Sequence, residues 1–125
     1  MTNSQGDANE LARRFVACKG WRWVAGMLAT DGWRVAGREG DLILWGRGRE
    51  VTGLSVRSET NGIPDLSDAA TRGAILELVR EAWGDPATGI YRHGRRWCVI
   101  MGGRCEDFFA DTEAEALLAA LEAAP

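Results

Sequence analysis

The chain has 125 residues, of which 46% are hydrophobic and 26% charged, and a formal net charge of −3. That is one domain's length with enough apolar content for a core, which excludes disorder. No apolar run approaches a membrane span, and MTNSQGDANE lacks the basic patch and apolar stretch of a signal peptide, so the expected location is the cytoplasm.

Residues 1–6 are expected to fray and residues 7–125 to form a single α+β domain. Asp7 followed by Glu10 resembles a capping pair. Leu11, Ala12, Phe15 and Cys18 then recur at helical spacing, with Gly20 closing the helix. Residues 21–31, around WRWVAGML, read as either a short strand or an ordered loop. GWRWVAG at 20–26 is echoed by GWRVAG at 32–37, too short an echo to establish a duplication.

From Trp33 the period shifts to two. A first strand is followed by a turn at Glu39-Gly40 and a second strand, DLILWG, at 41–46. Gly46-Arg47-Gly48-Arg49 reads as a turn, VTGLSV at 51–56 as a third strand, and residues 58–63 as loop.

The segment Pro64 to Pro86 has the clearest boundaries. Pro64 keeps Ile63 extended, and Ser67 or Asp68 can cap the helix that follows. Ile75, Leu76, Val79, Ala82 and Trp83 form an apolar stripe, with Glu77 and Glu81 on the other side near Arg80. Gly84 and Pro86 stop it. Gly73 is discordant: either it lies early enough to matter little, or another backbone approaches there.

Past Pro86, Ile90-Tyr91 begin a strand and His93-Gly94 can turn. RRWCVIM at 95–101 is the most strand-like segment. Gly102-Gly103 suits a two-residue hairpin leading to a return strand, Arg104 to Ala110. Thr112 caps the last helix, with Glu115 completing a capping box and Ala114, Leu117, Leu118 and Leu121 as its stripe. The expected order is α-βββ-α-βββ-α, an antiparallel sheet with helices packed on it. A repeated βββα unit fits the pattern, although the halves share almost no residues.

No motif carries chemistry. Cys18, Cys98 and Cys105 are an odd set without a CxxC pair, against a disulfide framework or zinc site. A two-residue hairpin pairs Ile100 with Cys105 and Cys98 with Asp107, leaving the two thiols diagonal, ~7–8 Å apart at Cα and too far for an easy bridge. His93 is the single histidine, with no nucleophile or second ligand tied to it. The expectation is no catalytic residue, metal or cofactor, and no enzymatic activity.

Charge is polarised. Residues 11–57 hold nine basic and four acidic side chains, whereas residues 106–125 hold six acidic and none basic. Fourteen of the fifteen basic residues are Arg, the better donor for anionic partners. Six Trp, four beside Arg, fit ordinary half-buried strands, in which neighbours point to opposite faces. They also fit stacking on single-stranded nucleic acid.

LARRFVACKGWRW, PDLSDAAT, LVREAWGDP and TEAEALLAALEAA resemble a family of small uncharacterised proteins encoded by bacteriophages and prophages. In that family Met-Pro tends to follow WRW, where this chain has Val24-Ala25. Proline tends to follow PDLSD, where this chain has Ala69. The resemblance implies a viral lineage and assigns no catalytic residue.

The leading functional expectation is an accessory protein of the infected bacterial cytoplasm. It acts by binding and occludes a host protein, a defence or regulatory component. Candidate contacts are Trp21, Arg22, Trp23, Arg47 and Arg49 on the basic side, and Glu113, Glu115 and Glu122 on the acidic side. The alternatives are nucleic-acid binding through residues 11–57, and capture of a nucleotide or other small ligand between helix and sheet. Oligomeric state is not readable.

Overall fold

The computed structural model describes residues 4–39, 42–47, 55–57, 62–101 and 107–125. The class is α+β. The order is α1 (Ser4–Val16), β1 (Arg34–Glu39), β2 (Leu42–Gly46), β3 (Ser55–Arg57), α2 (Ala69–Trp83), β4 (Gly89–His93), β5 (Arg96–Ile100), β6 (Asp107–Ala110) and α3 (Glu113–Glu122). This is the order expected from the residue pattern. The strands form two antiparallel three-stranded meanders, β1-β2-β3 and β4-β5-β6, each followed by a helix.

The chain divides into two compact units. One comprises Met1–Trp21 and Ile75–Pro125, the other Arg22–Ala74, so the boundary falls within α2.

In the unit of residues 22–74, Val35, Ile43 and Trp45 are buried on paired strands. Trp23 meets Trp45 edge-on, with centroids 5.1 Å apart. The segment 21–31 resolves into coil, a turn and two isolated bridges, Leu28 to Arg34 and Ala29 to Pro64. A register shift between Val35 and Gly37 sets Arg38 opposite Ile43. The expected turns at Glu39-Gly40 and at residues 46–49 lie partly outside the described residues. Of the third strand expected at 51–56, only residues 55 and 56 are described, and β3 there runs on to Arg57.

Both ends of α2 follow from local chemistry. Asp68 is the cap: its carboxylate accepts from the Thr71 N–H at 2.9 Å and its carbonyl from Arg72 N–H. At the other end Gly84, with φ +62°, bonds to Glu81 O, and Asp85 N–H reaches Arg80 O at 2.9 Å. Those two bonds make a Schellman motif, which uses the left-handed residue that glycine supplies without strain. Ile75, Leu78, Val79 and Trp83 are buried, while Leu76 and Ala82 are only partly so. Leu78 joins the stripe because it follows buried Thr71 by seven residues, on the same helix face. Gly73 is exposed, and nothing lies within 4 Å of where its Cβ would be, so no close approach explains it.

In the other unit α3 packs on β5 and β6, and α1 packs on α3. Thr112 caps α3, accepting from Glu115 N–H at 3.2 Å and donating its hydroxyl to Glu115 Oε1 at 3.0 Å. Leu117, Leu118, Val99 and Phe15 are fully or almost fully buried. The Trp83 indole donates to Ala120 O at 2.8 Å and its ring lies 5.9 Å from Phe108.

Two expectations are corrected. α1 already includes Ser4 to Gly6, so those residues are helical, and Asp7 lies inside the first turn and does not cap it. The last hairpin has a different register. Ile100 pairs with Asp107 and Cys98 with Phe109, two residues from the register of a tight Gly102-Gly103 hairpin. A two-residue shift preserves which face each side chain occupies and sets Phe108 beside buried Val99. Gly102, Gly103 and Cys105 lie outside the described residues.

Candidate functional site

The Arg/Trp-rich stretch is mostly engaged in building its own unit. Trp23 is 8% exposed and Trp45 fully buried. Arg34 holds Asp68 through both terminal nitrogens, at 2.9 and 3.0 Å, and also donates to Gly26 O at 2.7 Å. Arg38 reaches Trp23 O at 3.5 Å. Arg47 is exposed and its guanidinium lies 5.7 Å from the centre of the Trp33 ring. Arg22 is exposed; Arg49 lies outside the described residues. Trp21 is half-buried against Phe15, centroids 6.1 Å apart, and belongs to the other unit. Trp21 and Trp23 therefore do not form one exposed aromatic pair.

The acidic candidates are engaged as well. Glu122 pairs with Arg14 at 2.6 Å and Glu115 serves the α3 cap. Glu113 is half-buried in the first turn of that helix, where its charge suits the dipole.

A different surface emerges from the register of β4, β5 and β6. Tyr91 pairs with Cys98, and Cys98 with Phe109; Ile100 pairs with Gly89 and Asp107. Paired residues, and residues two apart on a strand, share a sheet face. Tyr91, Ile100 and Phe109 thus stand together, 55%, 40% and 44% exposed, around buried Cys98. Strand spacing places the Tyr91 and Phe109 backbones about 10 Å apart. The opposite face carries Val99, Trp97 and Phe108, buried or half-buried.

The Tyr91 ring reaches back over Gly89. A Cβ on Gly89 would come within 2.7 Å of the Tyr91 hydroxyl and 2.9 Å of its ring, so the absent side chain makes the bed in which the ring lies. The Arg96 guanidinium is 5.5 Å from the centre of the Phe109 ring. His93 sits opposite Arg96, and Gly94-Arg95 form the turn between them, with Gly94 at φ +65°. Arg92 has the other strand parity and donates to Gly94 O at 3.3 Å.

The two described thiols, Cys18 and Cys98, are not activated. Burial pushes the Cys98 thiol up, and the Asp107 charge adds to the effect. Burial followed by Glu122 raises Cys18 likewise. Both remain neutral at physiological pH. Among the described residues no group of three His, Cys, Asp or Glu side chains could hold a metal ion.

Two open clefts are lined by described residues. One of about 470 Å³ lies where α1 ends against α3, lined by Cys18, Lys19, Ala82 and Leu121 among others. The other, of about 370 Å³, lies beside Leu28, Arg34 and Gly46.

No helix among the described residues is long and apolar enough to cross a membrane. Comparison with protein-family models, curated proteins and solved structures finds no match.

The surface on β4–β6 was missed by sequence reasoning, although a signal existed. Ile90-Tyr91, Trp97 to Ile100 and Phe108-Phe109 are apolar at both parities. Strands with one wet face alternate, whereas unbroken apolar runs belong to strands covered on both sides.

Proposed function

We propose that this chain is a phage-like accessory protein that works by binding, in the bacterial cytoplasm, and occludes a host protein through the open face of β4–β6. The observation that carries the reading is the exposure of Tyr91, Ile100 and Phe109 on one sheet face. Large apolar side chains gathered on one face mark an interaction surface, whereas the same residues scattered singly do not. Tyr and Arg around an apolar centre are also the residue types that dominate protein interfaces. The phage lineage rests on the phrases LARRFVACKGWRW, PDLSDAAT and LVREAWGDP.

Nucleic-acid binding through residues 11–57 is less well supported. The tryptophan that would stack, Trp23, is buried, and Arg34 is held by Asp68.

The test is site-specific photo-crosslinking in bacterial cells. A benzophenone side chain at Tyr91 is expected to give a discrete adduct with one host protein, competed by the unlabelled chain. The same group at exposed Val16 on α1 is expected to give none. Absence of a Tyr91 adduct, or the same adducts from both positions, would overturn the reading.

A further inference from the structure

Resting on that reading of the β4–β6 face, we infer that the partner is a protein segment presenting carboxylates beside an apolar or aromatic side chain. The carboxylates meet Arg95 and Arg96, and the apolar group meets Tyr91 and Ile100.

Arg14, Arg34 and Arg80 each have a carboxylate: Glu122, Asp68 and Glu77. The β4–β5 hairpin, Gly89 to Ile100, carries Arg92, Arg95 and Arg96 and no acidic residue. All three are exposed, and among the described residues none forms an ion pair. Asp111 follows the β6 residue that pairs beside Arg96, and is exposed, yet Arg96 lies over Phe109 instead. Stacking covers the flat side of a guanidinium and leaves its in-plane N–H groups directed outward. That is the arrangement that receives a carboxylate with two parallel hydrogen bonds.

The layout of charge separates a protein partner from a nucleic acid. A single strand of nucleic acid needs a positive track along its whole path. Among the described residues of β4–β6, positive charge lies toward the hairpin end. Ile100 and Asp107 occupy the far end, four residues along β5, or about 13 Å. Phosphates laid across the face would run into Asp107, in a chain whose net charge is −3. A segment that is acidic at one end and apolar at the other matches both ends.

The test is an amide NMR titration of the full chain with four probes: a short peptide alternating glutamate and tyrosine, a glutamate-only peptide, a serine–tyrosine peptide, and oligothymidylate. The alternating peptide is expected to shift the amides around Tyr91, Arg96 and Ile100, and to bind at least about tenfold tighter than the other three. Arg95→Glu with Arg96→Glu should weaken it at least about tenfold. Arg92→Glu, on the opposite strand parity, should leave affinity within about twofold, and each variant's amide spectrum reports that it is folded. Tighter binding of oligothymidylate, equal loss in Arg92→Glu, a dimer that buries the face, or no binding by the alternating peptide would each overturn the inference. A Tyr91 crosslink to a host protein that persists alongside any of these results keeps the binding function and removes only the chemistry assigned to its partner.

Discussion

Arg34 grips Asp68 with both arms of its guanidinium, at 2.9 and 3.0 Å, and the same carboxylate accepts the N–H and hydroxyl of Thr71 at 2.9 and 2.8 Å. Thr71 Oγ1 in turn accepts from Leu28 N–H at 2.8 Å. One carboxylate thereby joins strand β1, the start of α2 and the segment at Leu28. The Arg34 hydrogen bonds, then those from Thr71, hold the Asp68 carboxyl far below its ordinary range, against the opposing effect of burial. The folded protein binds this proton less readily than the unfolded chain does, so the stabilisation is complete above the unfolded pKa of about 3.9 and is lost as pH falls below it. Urea unfolding between pH 7 and pH 2 should show that loss. Asp68→Asn, which retains a good cap but not the charge, should be less stable at neutral pH and flatter in acid. Asp68→Ala should cost about 0.5–2 kcal/mol more through the missing cap.

Gly73 costs stability for no packing return. Its site is helical, exposed and open, with nothing within 4 Å of an added Cβ. Gly73→Ala should stabilise the protein by about 0.4–1 kcal/mol, chiefly by restricting the unfolded chain. A thermal midpoint at or below that of the parent would contradict this.

Trp83 contributes through its nitrogen as well as its ring. Its Nε1–H donates to the Ala120 carbonyl at 2.8 Å in a buried setting, tying the last turns of α2 to α3. Trp83→Phe keeps an aromatic ring near Phe108 but leaves that carbonyl without its donor. The expected cost is about 1–3 kcal/mol, read from denaturant midpoints with an unchanged slope.

Gly89 and Tyr91 provide a test of the binding face that spares the fold. In Gly89→Ala the new methyl occupies the space of the Tyr91 hydroxyl and ring edge, at 2.7–2.9 Å. Those atoms are the far end of an exposed side chain, so the ring moves and stability changes by about 0.5 kcal/mol or less. The Tyr91 ring resonances should shift while those of Val99 and Leu117 stay, and binding at the face should weaken. A large loss of stability would mean that the ring is structural and not a contact.

The contrast between α2 and the β4–β6 face shows what kind of information the residues carried. The cap at Asp68, the glycine stop at Gly84 and the Thr112–Glu115 box are interactions among residues a few positions apart, so they could be read along the chain. Leu78 lies outside the stripe expected from the sequence; its helix-face neighbour Thr71 is polar, and bonds with Asp68 and Leu28 satisfy the Thr71 hydroxyl in its buried position. Gly102-Gly103 is a good local turn and by itself implies a hairpin two residues tighter than the observed register, which follows the pairing of Phe108 with Val99.

Elements, their order and most of their ends were therefore set by local rules: periodicity, caps and glycine stops act over a single turn and need no partner. Which apolar side chains stay wet is a different matter. Tyr91 and Ile90 are equivalent in sequence, as are Ile100 and Val99. Only the packing of α3 on one side of the sheet buries Val99 completely and leaves Ile100 and Tyr91 at the surface. The same holds for charge. The arginines of residues 11–57 and those of the β4–β5 hairpin look alike in the chain, and distant partners such as Asp68 for Arg34 and Glu122 for Arg14 decide which are neutralised in place.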